Sequence, residues 1–134
     1  MRTLALIAPA LAGVLIAGCT TPEQAARNAE IDRAELDRAL RGRVAGTPQR
    51  CIPTSSSEGA QIAGDSILYR DGRRLWRSQV GANCPFLRDD QVVINIVYAG
   101  QLCENDRFRL LTRGTNIPSP DCRYGQFVPY TRPR

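Results

Sequence analysis

Five cysteines limit what this chain of 134 residues can fold into more than any other feature of it. Four of them, Cys51, Cys84, Cys103 and Cys122, are spread through the C-terminal part, whereas Cys19 stands alone near the N terminus. In an oxidising compartment an even set of cysteines forms disulfides, and a small domain depends on them because its hydrophobic core is limited. The role of the odd cysteine and the compartment of the chain therefore have to be settled together.

The first 18 residues have the composition of a secretory signal peptide. A basic residue, Arg2, is followed by an uncharged run over residues 4–18 that ends in small residues. As a helix this run would rise about 22 Å, which is short of the ~30 Å hydrocarbon core of a bilayer. Pro9 and Gly13 weaken such a helix further. We therefore expect residues 1–18 to be an export signal rather than a membrane-spanning helix.

The end of this leader, LIAGC at residues 15–19, resembles the lipobox of bacterial lipoproteins, in which an aliphatic residue and small residues precede an obligatory cysteine. The resemblance implies cleavage before Cys19, a diacylglyceryl group on its sulfur and acylation of the new amino group, so that lipid on Cys19 attaches the chain to a membrane. Thr20 rather than Asp follows, which for a Gram-negative source implies the periplasmic face of the outer membrane. The alternative is an exported chain with a stray thiol.

Lipidation of Cys19 leaves four cysteines, which can pair in three ways that the sequence does not distinguish. We expect Cys84 to pair with Cys103, across the two ends of one hairpin, and Cys51 to pair with Cys122, joining the first strand of the domain to its last. A zinc site is the rival interpretation, but the chain has no Cys-x-x-Cys pair and no His. We therefore expect no metal and no cofactor.

A helix is predicted over residues 22–43. Thr21 can cap it, Pro22 suits its first position, and Gln24 stands where a capping box needs it. Its apolar stripe is thin and would bury little surface. We expect residues 19–50 to form a lipid-anchored, exposed tether. In the alternative, the Leu36/Leu40 edge binds a partner helix and makes the protein a structural accessory of an envelope assembly.

From Cys51 onward the pattern becomes extended, and residues 51–134 are predicted to form a small β domain. Its clearest element is a hairpin, SILYR and RRLWR around the turn Asp71-Gly72. This turn would set Arg70 opposite Arg73. Alternation of side chains would give one face the apolar core and the other face Leu68 and Leu75 with three arginines, which are Arg70, Arg73 and Arg77.

These three arginines are the candidate ligand-binding residues. Guanidinium groups directly opposite each other across a hairpin repel, and an anion could compensate, such as a phosphate or carboxylate of the cell envelope or an acidic envelope protein. The alternative is a solvated face on which Arg70, Arg73 and Arg77 cover the two leucines with their apolar stems.

Three further strands complete the predicted domain. The β-branched run QVVINIVY at residues 91–98 reads as a central strand. Residues 107–110 alternate between polar and apolar, and residues 126–128 form a closing strand that Pro129 places at an edge. The predicted fold is therefore mainly β, a small antiparallel sheet or half-barrel stapled by disulfides and preceded by an N-terminal helix.

Five segments of this domain resemble a family of small exported proteobacterial lipoproteins that is defined as a domain of unknown function. The likeness covers about residues 51–130, and the order of the four cysteines with their neighbours carries it. The resemblance implies the fold and an exported location but no chemistry. The segments are CIP at 51–53, DSILYR at 65–70, NCPFL at 83–87, LCEND at 102–106 and CRYGQFVP at 122–129.

Several function classes are disfavoured by composition. Without His the chain can build neither a Ser-His-Asp triad nor a Cys-His pair. The remaining catalytic candidates, Asp89, Asp90, Asp106 and the serines at 55–57, show no acid/base spacing. The net charge is +5 and all 18 basic residues are Arg, yet acidic residues are scattered among them. We therefore expect a non-catalytic protein that binds no nucleic acid.

Overall fold

A computed structural model describes residues 21–57 and 59–134. The predicted export signal and the lipidation site at Cys19 lie outside the described residues. The predicted helix, hairpin, strands and disulfides all lie within them.

Helix α1 spans Pro22–Leu40 and begins as the sequence predicts. The hydroxyl of Thr21 accepts a hydrogen bond from the backbone N–H of Gln24, and the Gln24 side chain accepts one from the backbone N–H of Thr21, both at 3.3 Å. This reciprocal capping box satisfies two of the N–H groups that a helix start leaves unpaired. The helix ends three residues before the predicted residue 43, and Gly42 takes up a left-handed conformation with φ of 71°.

The second half of α1 docks onto the β domain, which differs from the exposed tether expected from its thin apolar stripe. Residues 22–34 are exposed, but Leu36 and Leu40 are half-buried. Gly64, with φ of 56°, lies directly beneath the backbone of Asp32, where a Cβ atom would overlap the helix. The Leu36/Leu40 edge is thus partly used within the chain.

In the described part of the chain, ten strands follow the helix in three antiparallel sheets. The five-stranded sheet has the order β1-β10-β5-β4-β3, the three-stranded sheet has the order β6-β8-β9, and β2 pairs with β7. This confirms the predicted antiparallel, disulfide-stapled β fold preceded by a helix. The bounds are β1 Val44–Ala45, β2 Cys51–Pro53, β3 Gln61–Ala63, β4 Ser66–Asp71, β5 Arg74–Gln79, β6 Gln91–Asn95, β7 Gln101–Cys103, β8 Arg107–Thr112, β9 Cys122–Arg123 and β10 Phe127–Thr131.

The β4–β5 hairpin forms, but its register differs by two residues from the predicted one. The turn residues are Gly72 and Arg73, so Arg70 lies opposite Leu75 and not opposite Arg73. A two-residue turn with glycine first, here at φ of 56°, suits the twist of a hairpin. A shift of two residues leaves each side chain on its predicted face, because side chains alternate with a period of two.

The core lies between the sheets and is rich in aromatic side chains. Tyr69 and Trp76 are direct cross-strand partners and are both buried, as the face assignment predicts. The ring of Tyr124 packs against those of Phe108 and Phe127, with centroids 4.5 Å and 5.5 Å apart. These contacts join the five-stranded sheet to the three-stranded sheet.

Two strand positions were predicted wrongly. Strand β6 is the edge of its sheet, not a central strand. Strand β10 lies between β1 and β5, not at an edge. Pro129 is accommodated inside the sheet because regular pairing with β1 stops at Ala45, and the Pro129 carbonyl accepts from the N–H of Gly46 at 2.7 Å. The missing N–H of proline therefore falls where the neighbouring strand has ended.

Both disulfides form, but in a different pairing from the one expected. Cys51 pairs with Cys103, and Cys84 pairs with Cys122. The expected pairing assumed that Cys84 and Cys103 flank one hairpin, whereas β6 pairs with β8 and not with β7. Cys51 and Cys103 are instead direct cross-strand partners in β2 and β7.

Candidate functional site

Four arginine side chains line one surface groove of about 320 Å³, together with Gly72 and Thr131. We call it the arginine groove. Its arginines are Arg43, Arg70, Arg73 and Arg132. Two of the three predicted ligand-binding residues, Arg70 and Arg73, are among them.

Strand pairing brings these distant residues together. Val44 in β1 lies opposite Thr131 in β10, which places the preceding Arg43 near Arg132. One nitrogen of the Arg43 guanidinium donates to the backbone carbonyl of Arg73 at 2.6 Å, which fixes the segment between α1 and β1 against the β4–β5 turn. The groove is therefore built from this segment, one hairpin and the C-terminal tail.

The arginine groove is strongly positive. The pKa of Arg43 is lowered by partial burial and then by the neighbouring charges of Arg132 and Arg70. In the part of the chain that the structure describes, no carboxylate lies within 4.0 Å of any of its four guanidinium groups. The acid nearest in sequence, Asp71, accepts from the indole N–H of Trp76 at 3.3 Å. Among residues 21–57 and 59–134, the groove thus holds like charges that have no ion-pair partner within this distance.

Arg77, the third predicted residue, is held apart from the groove. Its Nε donates to the hydroxyl of Ser66 at 2.9 Å, and a terminal nitrogen lies 3.6 Å from a carboxylate oxygen of Asp65. Its other nitrogen lies 3.5 Å from the hydroxyl of Tyr130. With these partners Arg77 stabilises the outer face of the β4–β5 hairpin.

A second, larger groove of about 630 Å³ adjoins the first, and Arg70 lines both. It runs from the end of α1 to the edges of β3 and β6. Its charged residues have both signs, with Glu35 and Asp89 beside Arg38 and Arg113. The positive potential is therefore concentrated at the arginine groove.

The catalytic candidates from the sequence do not converge. A carboxylate oxygen of Asp106 accepts from the N–H of Cys103 at 2.7 Å and so stabilises the turn before β8. The hydroxyl of Ser57 donates to the carbonyl of Thr54 at 2.8 Å. Asp89 and Asp90 are exposed at the start of β6.

Residues 21–57 and 59–134 contain no group of three or more His, Cys, Asp or Glu side chains arranged to hold a metal ion. Within the same ranges, α1 lacks the apolar length that a membrane crossing requires.

Sequence reasoning missed Arg43 and Arg132. Both lie next to short strands whose pairing is set by contacts distant in sequence, so no local pattern connects them with the hairpin. No protein-family model, no curated protein and no solved structure matches this chain.

Proposed function

We propose that this chain is a non-catalytic lipoprotein of the bacterial cell envelope, anchored by lipid on Cys19, which binds an anionic envelope component through the arginine groove. The anchor sets the location and the groove supplies the binding site. An acidic envelope protein and a phosphate- or carboxylate-bearing polymer share the chemistry that the groove would recognise.

The sequence of the leader supports the anchor. LIAGC at residues 15–19 has the order of a lipobox, and α1 starts only three residues after Cys19. Two or more acyl chains hold a protein stably on a membrane, whereas one chain does so only marginally. The four remaining cysteines are all used in disulfides, as suits an oxidising compartment.

Anion binding is supported by the lack of an ion-pair partner for the four groove arginines among the described residues, and this observation carries the proposal. Bringing four guanidinium groups together raises the free energy of the folded state, because like charges repel. A bound phosphate or carboxylate would convert that repulsion into charge-assisted hydrogen bonds, for which the forked arginine side chain is well suited.

Replacement of arginines in the groove tests the binding site. We expect Arg70→Gln/Arg73→Gln/Arg132→Gln to weaken retention on purified envelope fragments about 10- to 100-fold, because each lost charge-assisted hydrogen bond contributes roughly 1.5–3 kcal/mol and the losses are not additive. The melting temperature should stay unchanged or rise, because the substitutions remove repulsion. Retention is measured by cosedimentation and folding by thermal unfolding.

The matched control is Arg107→Gln/Arg109→Gln. These side chains are also exposed, but both pair with Asp121, at 3.2 Å and 2.5 Å. The control should retain binding apart from a small general effect of net charge. Equal losses for the groove variant and the control, or full retention by the groove variant, would refute binding at the arginine groove.

A further inference from the structure

Strand β6 leaves an apolar sheet edge uncovered. It pairs with β8 on one side and is the end strand of its sheet. On its outer face Val92 is 43% exposed and Ile94 is 40% exposed. Natural proteins usually protect such an edge with charges, proline or a bulge, because a free edge can pair with another strand. Residues 91–95 contain none of these.

The hydrogen-bond pattern shows which backbone groups face outward. The N–H of Ile96 donates to the carbonyl of Arg107 in β8 at 3.0 Å. Because inward- and outward-directed residues alternate along an antiparallel strand, Ile94 and Val92 also direct their backbone groups toward β8. The backbone groups of Gln91, Val93 and Asn95 are therefore directed toward the free edge.

The sequence of β6 is symmetric in its chemistry. It reads QVVIN, with an amide residue at each end, an aliphatic residue next to each end, and Val93 at the centre. If two copies of this strand run antiparallel about a two-fold axis at Val93, Gln91 meets Asn95 and Val92 meets Ile94. In this register all three outward-directed residues of each copy face their counterparts. The N–H of Gln91 donates to the carbonyl of Arg88 at 3.3 Å in the single chain, so it would exchange that partner for Asn95 of the second copy.

We propose that β6 is a self-association edge, through which two copies of this chain form a two-fold symmetric dimer with a continuous six-stranded sheet. The interface is isologous, since the same strand serves both copies. Val92 and Ile94 of each copy would form one apolar cluster of four side chains on the outer face. This proposal is independent of the arginine groove.

The charges that flank β6 are complementary in the same arrangement. Asp90 of one copy would lie opposite Ile96 of the other, and Ile96 is the cross-strand neighbour of Arg107. Arg107 and Arg109 share a single acid, Asp121, so this end of the sheet has one positive charge in excess. Asp90 at the start of each β6 would therefore approach the excess positive charge of the second copy, while Arg88 and Arg113 lie at the same end of the strand as Asp90.

The test uses the chain from Thr20 onward, exported behind a cleavable leader so that both disulfides form. Among the described residues, the buried hydrophobic side chains all lie between Ile52 and Phe127, so this chain keeps the core that they form. Sedimentation velocity over a roughly hundredfold range of protein concentration should show a reversible change from monomer to dimer. Ile94→Lys should remain monomeric over the same range, because it places charge in the apolar cluster.

Ile117→Lys is the matched control, because Ile117 is an even more exposed isoleucine, at 81%, and lies outside the strands. It should dimerise like the wild-type chain. Hydrogen exchange identifies the interface: the amides of Val93 and Asn95 should exchange several-fold more slowly as the dimer forms. A wild-type chain that stays monomeric, an Ile94→Lys chain that still dimerises, or a dimer without slowed exchange at Val93 would overturn the proposal.

Discussion

Three polar side chains meet in the otherwise apolar core. The hydroxyls of Tyr69 and Tyr124 lie 2.5 Å apart, and they lie 3.0 Å and 2.6 Å from the side-chain oxygen of Asn95. Two phenolic hydrogens serve these three contacts, so both phenols must keep their protons for the cluster to be satisfied. Burial raises the pKa of Tyr124 and of Tyr69. The cluster connects β4 in one sheet to β6 and the segment after β9 in the other.

This cluster predicts a loss of stability at alkaline pH. The folded state holds protons that the unfolded chain releases above the ordinary phenol pKa of 10.0. The free energy of unfolding should therefore keep its full value below pH 10. Above pH 10 it should fall by up to about 1.4 kcal/mol per pH unit for each phenol. The chain contains no Lys, so no ammonium side chain titrates in this window. Urea unfolding measured at a series of pH values reports the slope.

Tyr69→Phe/Tyr124→Phe separates this effect from general alkaline unfolding. It should cost about 1–3 kcal/mol at neutral pH, because the Asn95 oxygen loses both donors, and it should flatten the decline above pH 10. Tyr98→Phe is the control, since Tyr98 is 60% exposed. An equally steep decline in the double variant would show that these phenols do not carry the pH dependence.

At the scale of elements, helix docking depends on one glycine. Gly64 and Gly72 have the same φ of 56°, but a Cβ atom at Gly64 would overlap the backbone of Asp32, whereas at Gly72 it would meet open space. Gly72→Ala should therefore lower the free energy of unfolding only by the penalty of holding alanine in a left-handed conformation, about 1–2 kcal/mol. Gly64→Ala should cost at least ~1 kcal/mol more, because α1 must move. Chemical denaturation measures both values, and equal costs would contradict close docking of the helix.

Elements with local signals were predictable from the sequence, and their neighbours were not. The capping box at Thr21 and the glycine turn at Gly72 are each specified within a few residues. The alternation in β4 and β5 also identified the core face, even though the register shifted. By contrast, whether β6 or β10 lies at an edge depends on strands that are distant in the chain. The β-branched residues of β6 predict that it forms a strand. They do not predict how many neighbouring strands it pairs with.

In the molecule as a whole, the arginine groove and the disulfides each join parts of the chain that are distant in sequence. The arginine groove joins residues from positions 43 to 132, and the disulfides Cys51–Cys103 and Cys84–Cys122 interlace along the chain. The groove follows from the pairing of β1 with β10, and the disulfide Cys51–Cys103 follows from the pairing of β2 with β7. From the sequence only the hairpin part of the groove, Arg70 and Arg73, could be identified, since the tail and the end of the helix are joined to it by tertiary pairing.

In the proposed function, Cys19 carries lipid while the other four cysteines hold the exported domain together. Mass spectrometry of the native protein from membranes, before and after reduction and after proteolysis, tests it most directly. We predict an N-terminal peptide that begins at Cys19 with the added mass of its acyl groups, an uptake of four hydrogens on reduction, and cross-linked peptides for Cys51–Cys103 and Cys84–Cys122. An intact leader with unmodified Cys19 and four free thiols would contradict the account.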